Sequence, residues 1–168
     1  MSPDGLVRAH ADLAYRVALR VTGSPADAAD AAQDALVKVW QHVEAVEPSR
    51  RRAWVARVAR NAALDLVRRR RVRPQPGRAE AVAEPASAAP LPDDDAHAAD
   101  LRVGIARALG TLDEPYRSLL VLRDVEGLAY AEVADALDLP LGTMKVYLHR
   151  ARRRFQAALA AASPELVP

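Results

Sequence analysis

Positions 50–73 hold ten arginines and one acid, Asp65, for a net charge of +9. Positions 145–154 hold five basic residues and no acid. Guanidinium groups stay charged and present a fixed fork of donors, so at this density they point to polyanion binding rather than proton transfer. Between the blocks, positions 74–100 carry six acids and one arginine. The formal net charge of +2 conceals this segregation into two basic surfaces and an acidic spacer. A single amide, Asn61, interrupts the first basic block. Asp27, Asp30 and Asp34 recur three and four apart, which puts them on one helix face. His10, His42, His97 and His149 have neither ligand spacing nor matching carboxylates, so no metal site is assigned. The absence of cysteine excludes disulfides, thiolate ligands and thiol catalysis.

Each feature also has a plainer structural reading. The run Arg68, Arg69, Arg70 and Arg71 is what a solvated helix end complementing its own dipole looks like. An asparagine on a helix face is commonly a bystander, and an aspartate stripe with no opposing ligands is a solvated or partner-facing surface. Trp40 and Trp54 fall at apolar-face positions, which reads as core anchoring rather than base stacking.

The 168 residues suffice for one medium or two small domains, and 51% of them are hydrophobic, many alanine, which favours helix. No run approaches the ~20 apolar residues of a membrane span, and the amino terminus lacks the blocks of a signal peptide. The default is a cytoplasmic protein without membrane insertion. Leu6, Leu13, Val17 and Val21 define a first helix that Gly23 ends. Ser24, Pro25 and Asp27 then supply an N-cap, a first-turn proline and an acid for a second helix over 25–44, with Ala28, Ala32, Leu36, Val39 and Val43 inward. A third helix to position 71 turns Trp54, Val55, Val58, Ala62 and Leu66 to the core.

Residues 72–99 are rich in proline, small residues and acids without apolar periodicity, and read as a flexible linker. Its contour is roughly 90 Å and its mean span as a coil roughly 30 Å. Beyond it, Leu101, Ile105, Ala108 and Leu109 mark a short helix, and 115–125 another, capped by Thr111 or Asp113. The segment 129–161 then reads as a helix-turn-helix, with Val133, Ala134, Leu137, Leu139, Met144 and Leu148 joining the two helices. Thr143, Lys145, Val146, His149 and Arg150 would lie on the face that enters a major groove.

Taken together and in order, DAADAAQDALVKVW, RAWVARVARNAALDLVRRRR and LLVLRDVEGLAYAEVADALDLPLGTMKVYLHRARRRF resemble the extracytoplasmic-function (ECF, group IV) sigma factors of bacterial RNA polymerase. The resemblance implies an all-α fold of two small domains. Region two would occupy 1–71 and region four 100–168, joined by the linker 72–99. It also implies a transcription initiation factor, with core RNA polymerase and promoter DNA as partners, an anti-sigma protein as a regulator, and no cofactor.

Carried over by position, the resemblance gives Asp27, Asp30, Gln33, Asp34, Lys38 and Trp40 to the helix that docks on the clamp helices of the β′ subunit. Region four would meet the β flap. The loop 43–51, with Glu47 and Ser49, matches the loop that captures a base flipped from the minus-10 element. Asn61 lies at the family's Arg-Asn position beside that pocket, and Arg57, Arg60, Arg68, Arg69, Arg70 and Arg71 would hold phosphate. An unstacked strand exposes base edges that a duplex hides. The helix opening at Gly142 matches the minus-35 reader, with Thr143, Lys145, Val146, Arg150 and Arg153 as contacts. Val146 and Tyr147 stand where serine and arginine are frequent in the family, and Ala31 and Ala32 replace bulkier apolar residues.

On this reading the chain performs no catalysis. Two promoter elements one and a half to two turns apart, at ~34 Å per turn, are ~50–70 Å apart, within the linker's contour. Two rivals remain: a dimeric helix-turn-helix regulator that needs no polymerase, and a nuclease using the aspartate stripe as metal ligands.

Overall fold

The structure, a computed structural model, describes residues 2–73 and 96–166. Helix α1 (Pro3–Thr22) begins at Ser2, whose Oγ accepts from the Gly5 amide at 3.2 Å. It ends at Gly23, which takes φ +69° and returns its amide to Leu19 at 2.8 Å. That left-handed cap is strained for a side-chain-bearing residue, so glycine is required there. Ser24 Oγ accepts from the Asp27 amide at 3.4 Å and starts α2 (Pro25–His42) as the serine-proline signal anticipates. Two 3₁₀ turns, Val43–Ala45 and Pro48–Arg50, lead into α3 (Arg51–Val72).

These three helices pack on a core made mostly of alanine. Ala14, Ala18, Ala28, Ala31, Ala35, Ala56, Ala59 and Ala63 are all essentially inaccessible, with Val17, Val21, Val39, Val43 and Val55 between them. Ala31 and Ala32 are both inside, so the small residues noted in the sequence are indeed core positions. Trp54, Val58 and Leu66 pack on the cluster from its edge. Trp40 does not follow its expected position: it is 55% exposed, because its neighbour Val39 takes the inward site and leaves the indole outside. The indole Nε1–H donates to Asp4 Oδ1 at 3.1 Å, which ties the end of α2 to the start of α1.

The second half opens with α4 (Ala96–Gly110), whose start lies inside the stretch that composition assigned to the linker; the rest of that stretch from position 74 is outside the described residues. Leu101 is 37% exposed, while Ala108 and Leu109 are buried. Helix α5 (Tyr116–Leu120) runs directly into a π turn, Val121–Val125. The cap expected from Thr111 or Asp113 does not form. Thr111 Oγ1 donates back to the Ala108 carbonyl at 2.8 Å, and Asp113 serves only through its backbone oxygen. What organises this corner is Arg117, whose guanidinium donates to the carbonyls of Leu109, Gly110, Leu112 and, across the halves, Val21, at 2.8–2.9 Å.

Helix α6 (Tyr130–Ala136) is stapled by Glu132, whose carboxylate accepts from the Ala129 amide at 2.8 Å. The turn after it places Asp138 at φ +52°, a conformation that aspartate tolerates better than most side chains. Helix α7 (Leu141–Ala162) follows. Val133, Ala134, Met144 and Leu148 are buried between the two helices, with Leu137 and Leu139 half-buried at the rim. This is the helix-turn-helix expected from the sequence. Arg152 fastens α7 to the π turn by a bidentate pair with Asp124, at 2.7 and 3.0 Å. Among the described residues there is no strand, and no helix is long and apolar enough to cross a membrane.

Candidate nucleic-acid interfaces

Helix α3 buries Val55, Ala56, Ala59, Ala62 and Ala63 against α1 and α2, so its arginines must share what surface is left. They do not share it equally. Asn61 is exposed, and its Oδ1 accepts from Arg60 Nη1 at 3.2 Å, which orients the amide. Glu47 and Ser49 are exposed on the preceding loop, where Arg51 donates to the Val46 carbonyl at 3.0 Å. Arg60 itself is drawn inward: its side chain is 16% exposed, donates through Nε to Ser118 Oγ at 3.0 Å and lies 3.5 Å from Glu114. Burial lowers its pKa, an effect that the Glu114 charge opposes. Arg57 is half-exposed and meets Asp138 in the helix-turn-helix turn at 3.3 Å.

The carboxy-terminal arginines of α3 separate in the same way. Arg70 is 2.7 Å from Asp27 and 3.8 Å from Asp30, and Arg69 is 3.9 Å from Asp34. Arg68 pairs locally with Asp65 at 3.8 Å, and Arg71 is exposed. The aspartate stripe of α2 therefore faces arginines of α3, and the two candidate surfaces meet along this seam. Asp30, Gln33, Asp34, Lys38 and Trp40 are exposed along α2, while Asp27 is largely covered. Beside Trp40, Val7, Tyr15, Leu36 and Val37 line an apolar groove of about 570 Å³ between α1 and α2. Among the described residues, no three acidic or histidine side chains converge as a metal would require. Arg70 occupies the space between Asp27 and Asp30 that the nuclease reading needs.

In α7 the inward residues Met144, Leu148 and Ala151 leave Lys145, Val146, His149, Arg150 and Arg153 exposed and Thr143 half-buried. Val146 is 49% exposed, an apolar side chain presented to solvent among basic neighbours. No side chain caps the first turn of α7. Tyr147 has a different part: its ring lies 5.8 Å from that of Tyr116 and it packs on the core, so it belongs to the hairpin rather than to the exposed face. Lys145 lies 5.9 Å from the Tyr130 ring and Arg150 5.8 Å from that of Tyr147, aromatic neighbours that limit where these cations can sit.

A third group, outside the residues singled out from the sequence, joins the two halves through a buried acid. Glu126, 4% exposed, receives both donors of Arg16, at 3.2 and 3.3 Å, and Arg52 at 3.8 Å. Arg52 also donates to the Glu126 carbonyl. The bond to Glu126 raises the pKa of Arg16. The one available signal was an acid inside the apolar run LLVLRDVEGL, which has to find a cation if it is buried.

Comparison with known proteins follows the same division of the chain. Residues 6–73 match the family model for sigma-70 region 2, and residues 102–155 that for sigma-70 region 4. The chain is 36% identical over 163 residues to the ECF RNA polymerase sigma factor SigE of Mycolicibacterium smegmatis, covering 96% of this chain and 63% of that one. It is 36% identical over 152 residues to the ECF RNA polymerase sigma factor SigL of Mycobacterium tuberculosis, covering 89% and 84%. Among solved structures, the sigma factor RpoE in complex with the anti-sigma factor NepR, from Bartonella quintana, superposes with a TM-score of 0.68 at 27% identity, over 89% of this chain and 91% of that one. CnrH in complex with the cytosolic domain of CnrY gives 0.65 at 29% identity, over 95% and 88%.

Proposed function

Because this chain belongs to the ECF RNA polymerase sigma factors, we propose that it binds core RNA polymerase in the cytoplasm and directs initiation by dividing promoter recognition between its halves. Sigma factors as a class are not enzymes, and this chain contributes binding alone. Region two spans 1–71 and region four 100–168. Asp30, Gln33, Asp34, Lys38 and Trp40, with Asp27 as a buttress, dock on the β′ clamp helices, and region four contacts the β flap. Glu47, Ser49 and Asn61 read an unstacked base of the minus-10 element. Arg57, Arg60, Arg68, Arg69 and Arg71 neutralise the strand's phosphates, while Arg70 is held in its ion pair with Asp27. Thr143, Lys145, Val146, Arg150 and Arg153 read the minus-35 element in the major groove.

The observation that carries this reading is the exposed amide of Asn61, oriented by Arg60 on a helix whose opposite face is core. An amide held in this way offers a donor and an acceptor to a base edge, while the surrounding guanidinium groups can hold the backbone. In region four the support is the exposed apolar Val146 between Lys145 and Arg150, a pattern suited to a thymine methyl flanked by phosphates. An anti-sigma protein is the regulator we expect, by extension from the RpoE relative.

Run-off transcription tests the reading, with purified chain added to sigma-free core polymerase on a genomic promoter pool. Core-dependent transcripts that share paired upstream motifs are expected, and Asn61→Ala is expected to abolish them. A palindromic footprint by the chain alone, with no core-dependent transcript, would favour the dimeric regulator instead.

A further inference from the structure

Trp40 breaks the pattern of its own helix. The indole is 55% exposed, and Val37, one turn earlier, is 53% exposed, so two large apolar side chains of α2 stand side by side in water. With Val7 of α1 and Leu36 they line the groove of about 570 Å³ between the first two helices. The indole is not left to turn freely. Its Nε1–H donates to Asp4 Oδ1 at 3.1 Å, across 36 residues of sequence. Asp4 has an ordinary reason to be where it is, since an acid in the first turn of a helix complements the dipole. That reason does not require a reach to α2. Nor does capping, which falls to Ser2, whose Oγ accepts from the Gly5 amide at 3.2 Å.

We propose that Asp4 is a positioning residue for polymerase binding: it fixes the Trp40 indole as a preset wall of the groove, ready to receive an apolar side chain of the polymerase. The inference rests on the reading of α2 as the polymerase-facing helix. Two physical effects make the bond matter. Indole has one polar group, a donor, and a partner surface closing over the ring strips water from it. Asp4 supplies the acceptor beforehand, so covering Trp40 leaves no unpaired donor. The bond also settles the side-chain torsions before the partner arrives, and freedom already surrendered is not lost again on association. Tryptophan is among the side chains that carry most of the binding energy at protein interfaces, so its pose is worth fixing. Asp4 itself need not touch the polymerase.

Binding of the full chain to immobilised, sigma-free core polymerase, read by surface plasmon resonance, tests the proposal. The variants are Asp4→Ala, Asp4→Asn, Trp40→Phe and the combination of Asp4→Ala with Trp40→Phe; circular dichroism verifies that each is folded. Asp4→Ala is expected to bind about tenfold more weakly than the wild type. Asp4→Asn, which loses the charge and keeps an Oδ1 acceptor, is expected to bind as the wild type does. Phenylalanine has no N–H to be held, so in the Trp40→Phe chain the added Asp4→Ala is expected to change affinity by no more than about twofold. A second reading needs no polymerase. In a Trp54→Phe chain, where Trp40 is the one tryptophan, time-resolved fluorescence anisotropy is expected to show fast indole motion with Asp4→Ala and none with Asp4 or with Asp4→Asn. Asp4→Ala and Asp4→Asn binding alike, an equal loss from Asp4→Ala with and without the indole N–H, or indole motion that no Asp4 variant changes would each overturn the positioning role. A wild type that does not bind core polymerase would instead overturn the sigma reading, while the anisotropy would still report whether Asp4 holds the indole.

Discussion

Arg70, at the far end of the arginine run, stands 2.7 Å from Asp27, in the first turn of α2. A tetrad that looks uniform in the sequence is therefore divided between a structural ion pair and exposed cations. Arg70 is 32% exposed and Asp27 13%, whereas Arg68 is 74% exposed.

Single alanine variants will separate these roles. Arg70→Ala is expected to lower stability by about 1–2 kcal/mol, because it removes the cation from a largely covered carboxylate. Arg68→Ala and Arg71→Ala are expected to stay within about 0.5 kcal/mol. Urea denaturation followed by circular dichroism measures both. In holoenzyme binding to promoter DNA, the double variant of Arg68 and Arg71 is expected to flatten the dependence of log affinity on log salt by up to about 2 units, roughly one per lost phosphate contact.

Asn61→Ala is expected to leave stability within about 0.5 kcal/mol, since the side chain is exposed and its partner among the described residues is the neighbouring Arg60. The same variant is expected to lose core-dependent transcripts. A matched loss of stability would move Asn61 from the interface to the scaffold.

The two departures from the family pattern in α7 are expected to behave oppositely. Val146 is exposed, so Val146→Ser is expected to keep stability and change which minus-35 sequences are selected from a randomised promoter pool. Tyr147 is packed against Tyr116, so Tyr147→Arg is expected to cost about 1–2 kcal/mol through lost burial and ring contact before any effect on selectivity.

His10 gives the protein a dependence on pH. Partial burial lowers its pKa first, and Arg51 and Arg52 add to the effect, so the folded chain favours the neutral imidazole. The unfolded chain then binds more protons below the ordinary value of about 6.5, and stability falls as pH drops through that value toward the lowered one. Denaturation midpoints at pH 7.5, 6.5 and 5.5, compared with those of His10→Gln, are expected to show a flatter profile for the variant over that window.

Helix boundaries and the helix-turn-helix were legible because they rest on local signals. Gly23 requires its left-handed cap, Ser24 and Pro25 start a helix, and Pro140 stops one turn and begins the next. The failures share a cause as well. Trp40 lies at an apolar spacing, yet one residue decides which of Val39 and Trp40 points inward, and side-chain period alone does not fix that phase. The arginines of α3 could be counted but not sorted, because their partners are distant in sequence: Glu114, Ser118, Glu126 and Asp138 come next to them only when the halves pack. Arg117 was silent for the same reason, since its four acceptors are backbone carbonyls, which no residue type reveals. The π turn after Leu120 adds a residue to the helix without any proline or glycine to announce it.

The alanine seam of the first three helices has a mechanical consequence. Methyl groups have no rotamers to change, and helices in such close contact cannot slide by rearranging side chains. A push on the exposed edge of α2 will therefore arrive at the far end of α3 as displacement instead of being absorbed on the way. The same seam makes the bundle tolerant of little growth: Ala31 and Ala59 are essentially inaccessible, so a larger side chain at either must displace its neighbours. The exposed edge of α2 at Trp40 and the arginine end of α3 at Arg71 are thus two ends of one stiff lever, joined through alanine contacts.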